Sequence, residues 1–301
     1  MDTILIAGGS GLVGKHLSKH LHSKGYQIRL LSRKILVDST FPSFVWDVQN
    51  NTIDKNALQN VDYIINLAGT NIGEKRWSKK QKKAILESRI KSSQLLFETV
   101  KNEKIPLKAY ISASATGYYG AITSEKIFDE NDVAAIDFLG SVCQQWEESS
   151  RSFLELGIRN VQVRTGVVLT TKGGALEKML QPIKIGFGSA LGSGKQYMPW
   201  IHSADLCNIY ELAIRNDKMK GAYNAVAPEP INNTEFTHKL AKQLQKKIWL
   251  PAIPSFLLDI VLGEMASIIL KGSRVSPYKI QEVGFTFAYP TLSSALEEIL
   301  L

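Results

Sequence analysis

The chain is short of several things, and each shortage excludes something. It has two cysteines in 301 residues, Cys143 and Cys207, with no C-x-x-C pair. A disulfide framework and a thiolate zinc ribbon are both excluded, and reduced thiols are the plain reading. No apolar run approaches the ~20 residues that span a bilayer. The most apolar late stretch, 256–270, is broken by Asp259, Gly263 and Glu264. The N-terminus, MDTILIAGG, carries Asp2 where a secretory leader requires positive charge. A soluble, cytoplasmic protein is therefore expected, and Phe256, Leu257, Ile260 and Val261 read as core rather than as a membrane contact. Acidic residues are also scarce, 28 against 36 basic, for a net charge of +8. The excess is local. Between Glu74 and Lys91, eight basic residues face two acidic ones, so this one segment carries +6. Such a run is ordinarily a solvated helix face. No RNA- or DNA-binding motif accompanies it, so nucleic acid is not an expected partner.

What is present is an alternation. Short apolar runs at 4–7, 28–32, 44–46, 63–68, 109–114 and 161–164 are separated by stretches of helical character, one from about Leu12 to Ser23 and a longer one ending near Lys101. This pattern predicts βαβ units and an α/β fold with a doubly wound parallel sheet. Ser78 and Gln81 fit a capping box at the start of the long helix. Past residue 170, Gly and Pro punctuate the chain as far as Pro230, the signature of loops over a site. Helical segments follow to Leu301. Residues 1–235 are expected to form a dinucleotide-binding domain of Rossmann type, with loops 170–200 contributing to a substrate lobe. Residues 236–301 are expected to form a small, mainly helical C-terminal lobe.

The first apolar run leads into Gly8-Gly9-Ser10-Gly11-Leu12-Val13-Gly14. Glycines at 8, 11 and 14 permit a tight turn, close backbone approach to a pyrophosphate and close helix–strand packing. The following helix N-terminus offers free N–H groups and a positive dipole end to phosphate. The second run ends Leu31-Ser32-Arg33-Lys34. An NAD site usually has a carboxylate here for the ribose 2′-hydroxyl, whereas a 2′-phosphate calls for hydroxyls and cations. Ser32 and Arg33 therefore point to NADP(H) over NAD, against the alternative of plain surface charge at a strand end.

With Asn66-Leu67-Ala68-Gly69 and Ser112-Ala113-Ser114, these residues resemble the extended short-chain dehydrogenase/reductases. Longer words narrow the match: NLAGTNIGEKRW, ESRI, SASATGYYG, RTGVVL, LGSGKQYMPWIHSADL, YNAVAPEPINNTEF and GFTFAYPTLSSAL. They resemble the atypical branch known as epimerase family proteins, NADP-dependent oxidoreductases that end in a small domain of unknown function. The resemblance implies that Leu67, Ala68 and Gly69 pass beside the adenosine and phosphates, that Ser112 also lies at the cofactor, and that Arg89 reaches it from the long helix. Read from its own surroundings alone, Arg89 is equally a solvent-facing cation in a basic helix.

The resemblance also exposes a deficit. Ordinary members use Tyr-x-x-x-Lys on the helix after the SAS strand, where the lysine lowers a phenol pKa of ~10 toward neutrality. None of the ten tyrosines here is followed by lysine four residues on. The equivalent helix reads FLGSVCQQWE from Phe138, with Phe138 or Leu139 in place of Tyr and Val142 or Cys143 in place of Lys. Candidate catalytic groups are then Ser114, which aligns with the substrate-polarising serine, Tyr118 and Tyr119 just beyond it, and His202. The tyrosines are equally substrate-pocket or packing residues. His202 lies in WIHSAD, where Asp205 or Ser203 would cap a helix and Trp200 would be core. On the substrate side the candidates are Arg76, Trp77, Lys195, Tyr197 and Trp200.

Two apparent motifs are set aside. Gly192-Ser193-Gly194-Lys195 lacks the Gly at 189 and the Ser/Thr at 196 of a P-loop, and His16 and His20 lack the Glu and third ligand of a zinc site. No metal is expected. The function expected is hydride transfer at a carbonyl or secondary alcohol of a small, sugar-nucleotide-like substrate, without the Tyr/Lys relay. The alternative is a non-catalytic NADP(H)-sensing regulator. A homo-oligomer is compatible with either.

Overall fold

The computed structural model describes residues 1–300. In chain order its strands are β1 (Thr3–Ala7), β2 (Gln27–Ser32), β3 (Ser43–Asp47), β4 (Thr52–Ile53), β5 (Tyr63–Asn66), β6 (Ala109–Ala115), β7 (Ile127–Phe128), β8 (Arg159–Thr165), β9 (Val167–Leu169), β10 (Trp200–His202), β11 (Gly221–Ala225) and β12 (Arg274–Val275). Its helices are α1 (Leu12–Ser23), α2 (Lys79–Asn102), α3 (Phe138–Arg151), α4 (Gly174–Lys184), α5 (Ser203–Arg215), α6 (Asn233–Gln243), α7 (Ser255–Leu262), α8 (Ser267–Leu270), α9 (Tyr278–Glu282) and α10 (Leu292–Leu300). Eight strands form the main sheet in the order β11-β8-β6-β5-β1-β2-β3-β4. Every neighbouring pair in it is parallel except β3 with β4. This is a doubly wound, Rossmann-like sheet. The two-residue β4 is an edge strand too short to leave a periodic signal in the sequence.

The apolar runs form strands because both faces are covered. β1 is buried at all five positions. On one face Leu17 and Leu21 of α1 meet Leu206, Ile209 and Tyr210 of α5 over Ile4, Ile6 and Ile65. On the other, Leu95, Leu96 and Val100 of α2 cover Leu5, Ile64 and Tyr110. The long helix begins where expected, with Ser78 Oγ accepting from Gln81 N at 3.2 Å.

The boundary expected at 235/236 falls inside α6. The core of the second lobe draws on Leu176, Leu180 and Ile183 of α4, on Trp200, on Phe236 and Leu240 of α6, and on Leu292 and Leu296 of α10. Segments on both sides of the expected boundary share one apolar cluster, so this lobe is discontinuous in sequence. The expectation for residues 256–261 fails. Phe256 and Ile260 of α7, read as core, are 61% and 68% exposed, and the helix buries no residue at all. The apolar pattern was read correctly; the face it should pack against does not exist within the described chain. Among the described residues no helix is long and apolar enough to cross a membrane.

Candidate functional site

The sheet reverses its winding between β1 and β5, and the loops leaving the carboxyl ends of those strands meet there, where ligands bind in such sheets. Gly8 has φ +79° and lies so close to the β5 loop that a Cβ on it would stand 2.9 Å from the carbonyl carbon of Leu67. A Cβ on Gly14 would stand 2.4 Å from Gly8 O. Glycine at both positions is thus a packing requirement. The first helix opens at Gly11 with no side-chain cap and no acidic residue in its first turn, leaving its N–H groups for another acceptor. Ser10 is exposed beside it, while Gly9 packs against Leu30 and Leu12 and Val13 begin the helix. At the end of β2, Ser32 is buried and donates to Lys34 O, and Arg33 is exposed.

The β5 loop is held by a buried amide. Asn66 Nδ2 donates to Tyr110 OH at 2.8 Å and to Ser92 Oγ at 3.1 Å, while its Oδ1 accepts from Ala68 N at 3.1 Å. That fixes Leu67 and Ala68 opposite Gly8. A Cβ on Gly69 would lie 3.0 Å from the guanidinium carbon of Arg89, so glycine is what admits the cation. Arg89 is no solvent-facing residue of the basic helix. Its Nη1 donates to Thr70 O at 3.1 Å and Ile85 O at 2.8 Å, and its guanidinium lies 4.8 Å from the ring centre of Trp146. Burial lowers its pKa, and no carboxylate lies within ion-pair distance among the described residues. The buried Nε1 of Trp146 also lacks a partner among the described residues. An unpaired, partly buried cation beside a glycine-lined turn and an uncapped helix fits an anionic phosphate group, as a dinucleotide supplies. Ser112, fully buried, donates to Ala113 O at 2.9 Å.

Two positions of α3 face the loop after β6. A Cβ on Gly117 would meet Leu139 Cβ at 3.4 Å and Cys143 Sγ at 3.7 Å. Leu139 and Cys143 therefore take the spacing of the absent Tyr and Lys, while Phe138 turns away to stack edge-on with Trp77 at 4.9 Å. Burial pushes the Cys143 thiol up to about 12, against the opposing pull of Arg89. Around them, Trp77, Ile85 and Val142 form a small apolar cluster joined by Met265 and Ile268 of the second lobe.

The other candidates are drawn into a buried ionic network that sequence reasoning missed. Arg164 of β8 makes a two-pronged pair with Glu147 of α3, Nε to Oε1 at 2.8 Å and Nη2 to Oε2 at 2.9 Å. Both residues are 1% exposed. Ser114 Oγ donates to Glu147 Oε1 at 2.7 Å. Arg164 Nη1 donates to Tyr119 OH at 3.0 Å, and that hydroxyl donates to Asn224 Oδ1 at 2.7 Å. Burial raises the Tyr119 phenol further than the charge of Arg164 lowers it. Tyr119 is thus a linker and a poor proton shuttle near neutrality. The ring of Tyr118 packs against the same guanidinium, its centre 3.4 Å from Arg164 Cζ. A readable signal did exist: arginine within a strand buried on both faces demands an anionic partner.

His202 sits elsewhere. Its Nε2 lies 2.8 Å from Glu298, and its Nδ1 accepts from Ala204 N at 3.2 Å, so the imidazole itself caps α5. That corrects the expectation that Asp205 or Ser203 does so. The Asp205 carboxylate accepts instead from Ala288 N at 2.8 Å and Tyr289 N at 3.0 Å, tying in the C-terminal segment. Trp200 is 1% exposed in the second-lobe core, with Nε1 donating to Glu229 O at 3.2 Å, and does not face a cleft. Lys195 is exposed, Tyr197 OH donates to Glu125 at 3.0 Å, and Arg76 donates to Ile260 O at 3.4 Å. The two helix histidines separate in role: His20 pairs with Glu211, and His16 lies against Thr170.

Comparison with known proteins agrees with this geometry. Residues 4–138 match the model of the NAD-dependent epimerase/dehydratase family, and residues 253–299 match a domain of unknown function, DUF1731. An epimerase family protein of Staphylococcus aureus (strain MRSA252) is 34% identical over all of this chain and 99% of its own length. A chloroplastic SDR39U1 homologue of Arabidopsis thaliana is 35% identical over 99% of this chain and 86% of its own. Among solved structures, the human epimerase family protein SDR39U1 with NADPH superimposes with a TM-score of 0.87 at 32% identity, covering 99% of this chain and 98% of that one. A UDP-N-acetylglucosamine 4-epimerase of Bacillus cereus, at 18% identity and a TM-score of 0.80 over 99% of this chain and 98% of its own, shares the fold.

Proposed function

The chain belongs to the NAD-dependent epimerase/dehydratase family, and from that premise we propose that it binds NADP(H) and acts as an oxidoreductase at a carbonyl or secondary alcohol of a small substrate, without a Tyr–Lys relay. The observation that carries this reading is the charge around the glycine turn: Ser32 and Arg33 at the end of β2 with no carboxylate, and Arg89 unpaired beside Gly69. The human relative was solved with NADPH, which supports the same preference. Gly8, Gly9, Ser10, Gly11 and Gly14 give the pyrophosphate close access to backbone N–H groups, with Leu12 and Val13 at the helix start. Leu67 and Ala68 wall the far side, whereas Ser112, expected at the cofactor, is fully buried and bonded to Ala113 O and does not reach it. The nicotinamide, when bound, supplies the hydride chemistry. Of the polar groups near the relay position, Ser114 and Tyr119 are occupied by Glu147, Arg164 and Asn224. Tyr118 is the residue we assign to hydrogen-bond the substrate oxygen. Arg76, Lys195 and Tyr197 border the substrate side.

Titration with NADPH and with NADH tests the cofactor assignment, and equal or tighter binding of NADH overturns it. Stereospecific hydride exchange against a carbonyl library, with Tyr118→Phe as comparison, tests the chemistry. A second reading, a non-catalytic NADP(H) sensor, is favoured by one observation: Leu139 and Cys143 fill both relay positions with groups that transfer no proton near neutrality. Tight NADPH binding with no exchange in wild type or Tyr118→Phe decides for the sensor.

A further inference from the structure

The helix α7 reads SFLLDIVL and buries none of its residues. Phe256, Leu257, Ile260 and Val261 are 61%, 44%, 68% and 66% exposed. Contiguous apolar surface of this kind on a folded protein marks a place that something else covers. Its surroundings say what. The carboxyl end of α7 is fastened to the basic run at the start of α2, Arg76 Nη2 donating to Ile260 O at 3.4 Å and Lys82 pairing with Glu264 just beyond the helix. Lys83 and Lys91 are answered by Glu87 at 3.6 and 3.2 Å. Lys75, Arg76, Lys79 and Lys80 are exposed and have no carboxylate within ion-pair distance among the described residues. An unpartnered apolar helix thus borders a row of unneutralised cations.

We propose that α7 and the start of α2 form a docking surface for an anionic lipid bilayer. The apolar side chains enter the boundary between headgroups and acyl chains, and Lys75, Lys79 and Lys80 meet the lipid phosphates. A second copy of the chain fits this face poorly, because a symmetric pair would bring both cation rows together. Trp249 lies six residues ahead of α7 and is 68% exposed; its indole donates to Gly186 O at 2.9 Å, beside Phe187, 59% exposed. Trp46, Trp77, Trp146 and Trp200 are each at most 9% exposed, so Trp249 is the exposed tryptophan whose emission responds to a covering surface.

The test is sedimentation of the full-length protein with phosphatidylcholine vesicles, pure or containing phosphatidylglycerol, at low and high salt. Anionic vesicles should bind about tenfold more protein than neutral ones, less at high salt, with a blue shift of Trp249 emission. Phe256→Ser with Ile260→Ser, at exposed positions, should reduce binding about tenfold with an unchanged melting temperature. Lys79→Gln with Lys80→Gln should reduce it on anionic vesicles alone. Equal binding to both vesicle types, or full binding by the Phe256/Ile260 variant, overturns the proposal. So does a concentration-dependent dimer that the Phe256/Ile260 variant abolishes, or binding to a soluble polyanion without binding to vesicles.

Discussion

The glycine turn and the relay position are built by different means. At the phosphate end, the constraints are steric and local: a strand, three glycines and a helix start within twelve residues, each glycine explained by a backbone atom under 3.3 Å from where its Cβ would be. At the relay end Leu139 and Cys143, which transfer no proton near neutrality, hold the two positions, and the nearby charge lies in Glu147 and Arg164. The first end binds through backbone, which any side-chain drift leaves intact. The second depends on side chains drawn from β6, α3, β8 and β11, and it was free to be rebuilt.

Breaking the relay end should cost most. Glu147→Ala leaves the guanidinium of Arg164 buried and unpaired, and should destabilise the fold by about 3–5 kcal/mol in urea unfolding. Unchanged stability would mean that water reaches Arg164 and that the network is not a closed one. Next comes Arg89→Gln, which removes a cation from the phosphate end. NADPH affinity should fall by about 1.5–3 kcal/mol, or ~10- to 150-fold, with little effect on melting of the cofactor-free protein. Gly14→Ala should weaken both cofactors by a similar or smaller factor, about 1–3 kcal/mol, because the turn must open to accept a Cβ. Arg33→Ala should lower affinity for NADPH about tenfold while leaving NADH unchanged, which separates the 2′-phosphate from the pyrophosphate.

A further effect is expected on alkaline stability. Burial raises the Cys143 and Cys207 thiols from 9.0 to about 12, and raises the Tyr119 phenol as well. Above pH 9 the unfolded chain loses these thiol protons and the folded chain keeps them, so stability should fall as pH rises from 9 toward 12. Cys143→Ala should flatten that fall measurably when the urea midpoint is followed against pH.

Much of this was legible in the sequence. The strand order of the sheet is not written in any one segment, yet the alternation of apolar runs and helices was enough to predict a doubly wound sheet, since each run is buried on both faces. The glycine turn, the Ser78 cap and the absence of a Tyr–Lys pair were read directly. Arg89 was ambiguous because a helix pattern says nothing about the loop opposite it. Trp200 belongs to a Gly-rich loop segment and His202 is a titratable group beside it, but the fold makes the first core and the second a helix cap. Phe256 and Ile260 were read as core because hydrophobicity reports a need for cover without naming the cover.

The sequence alone therefore determined the sheet, the phosphate turn and the loss of the ordinary relay, since each rests on interactions among residues close along the chain or on a spacing within one helix. Tertiary structure decided the pairing of Glu147 with Arg164, the choice of Leu139 and Cys143 over Phe138 and Val142, the setting of Arg89 against Gly69, and the exposure of α7. Those outcomes depend on which surfaces meet across distant segments, and packing geometry fixes that only once the whole chain has folded.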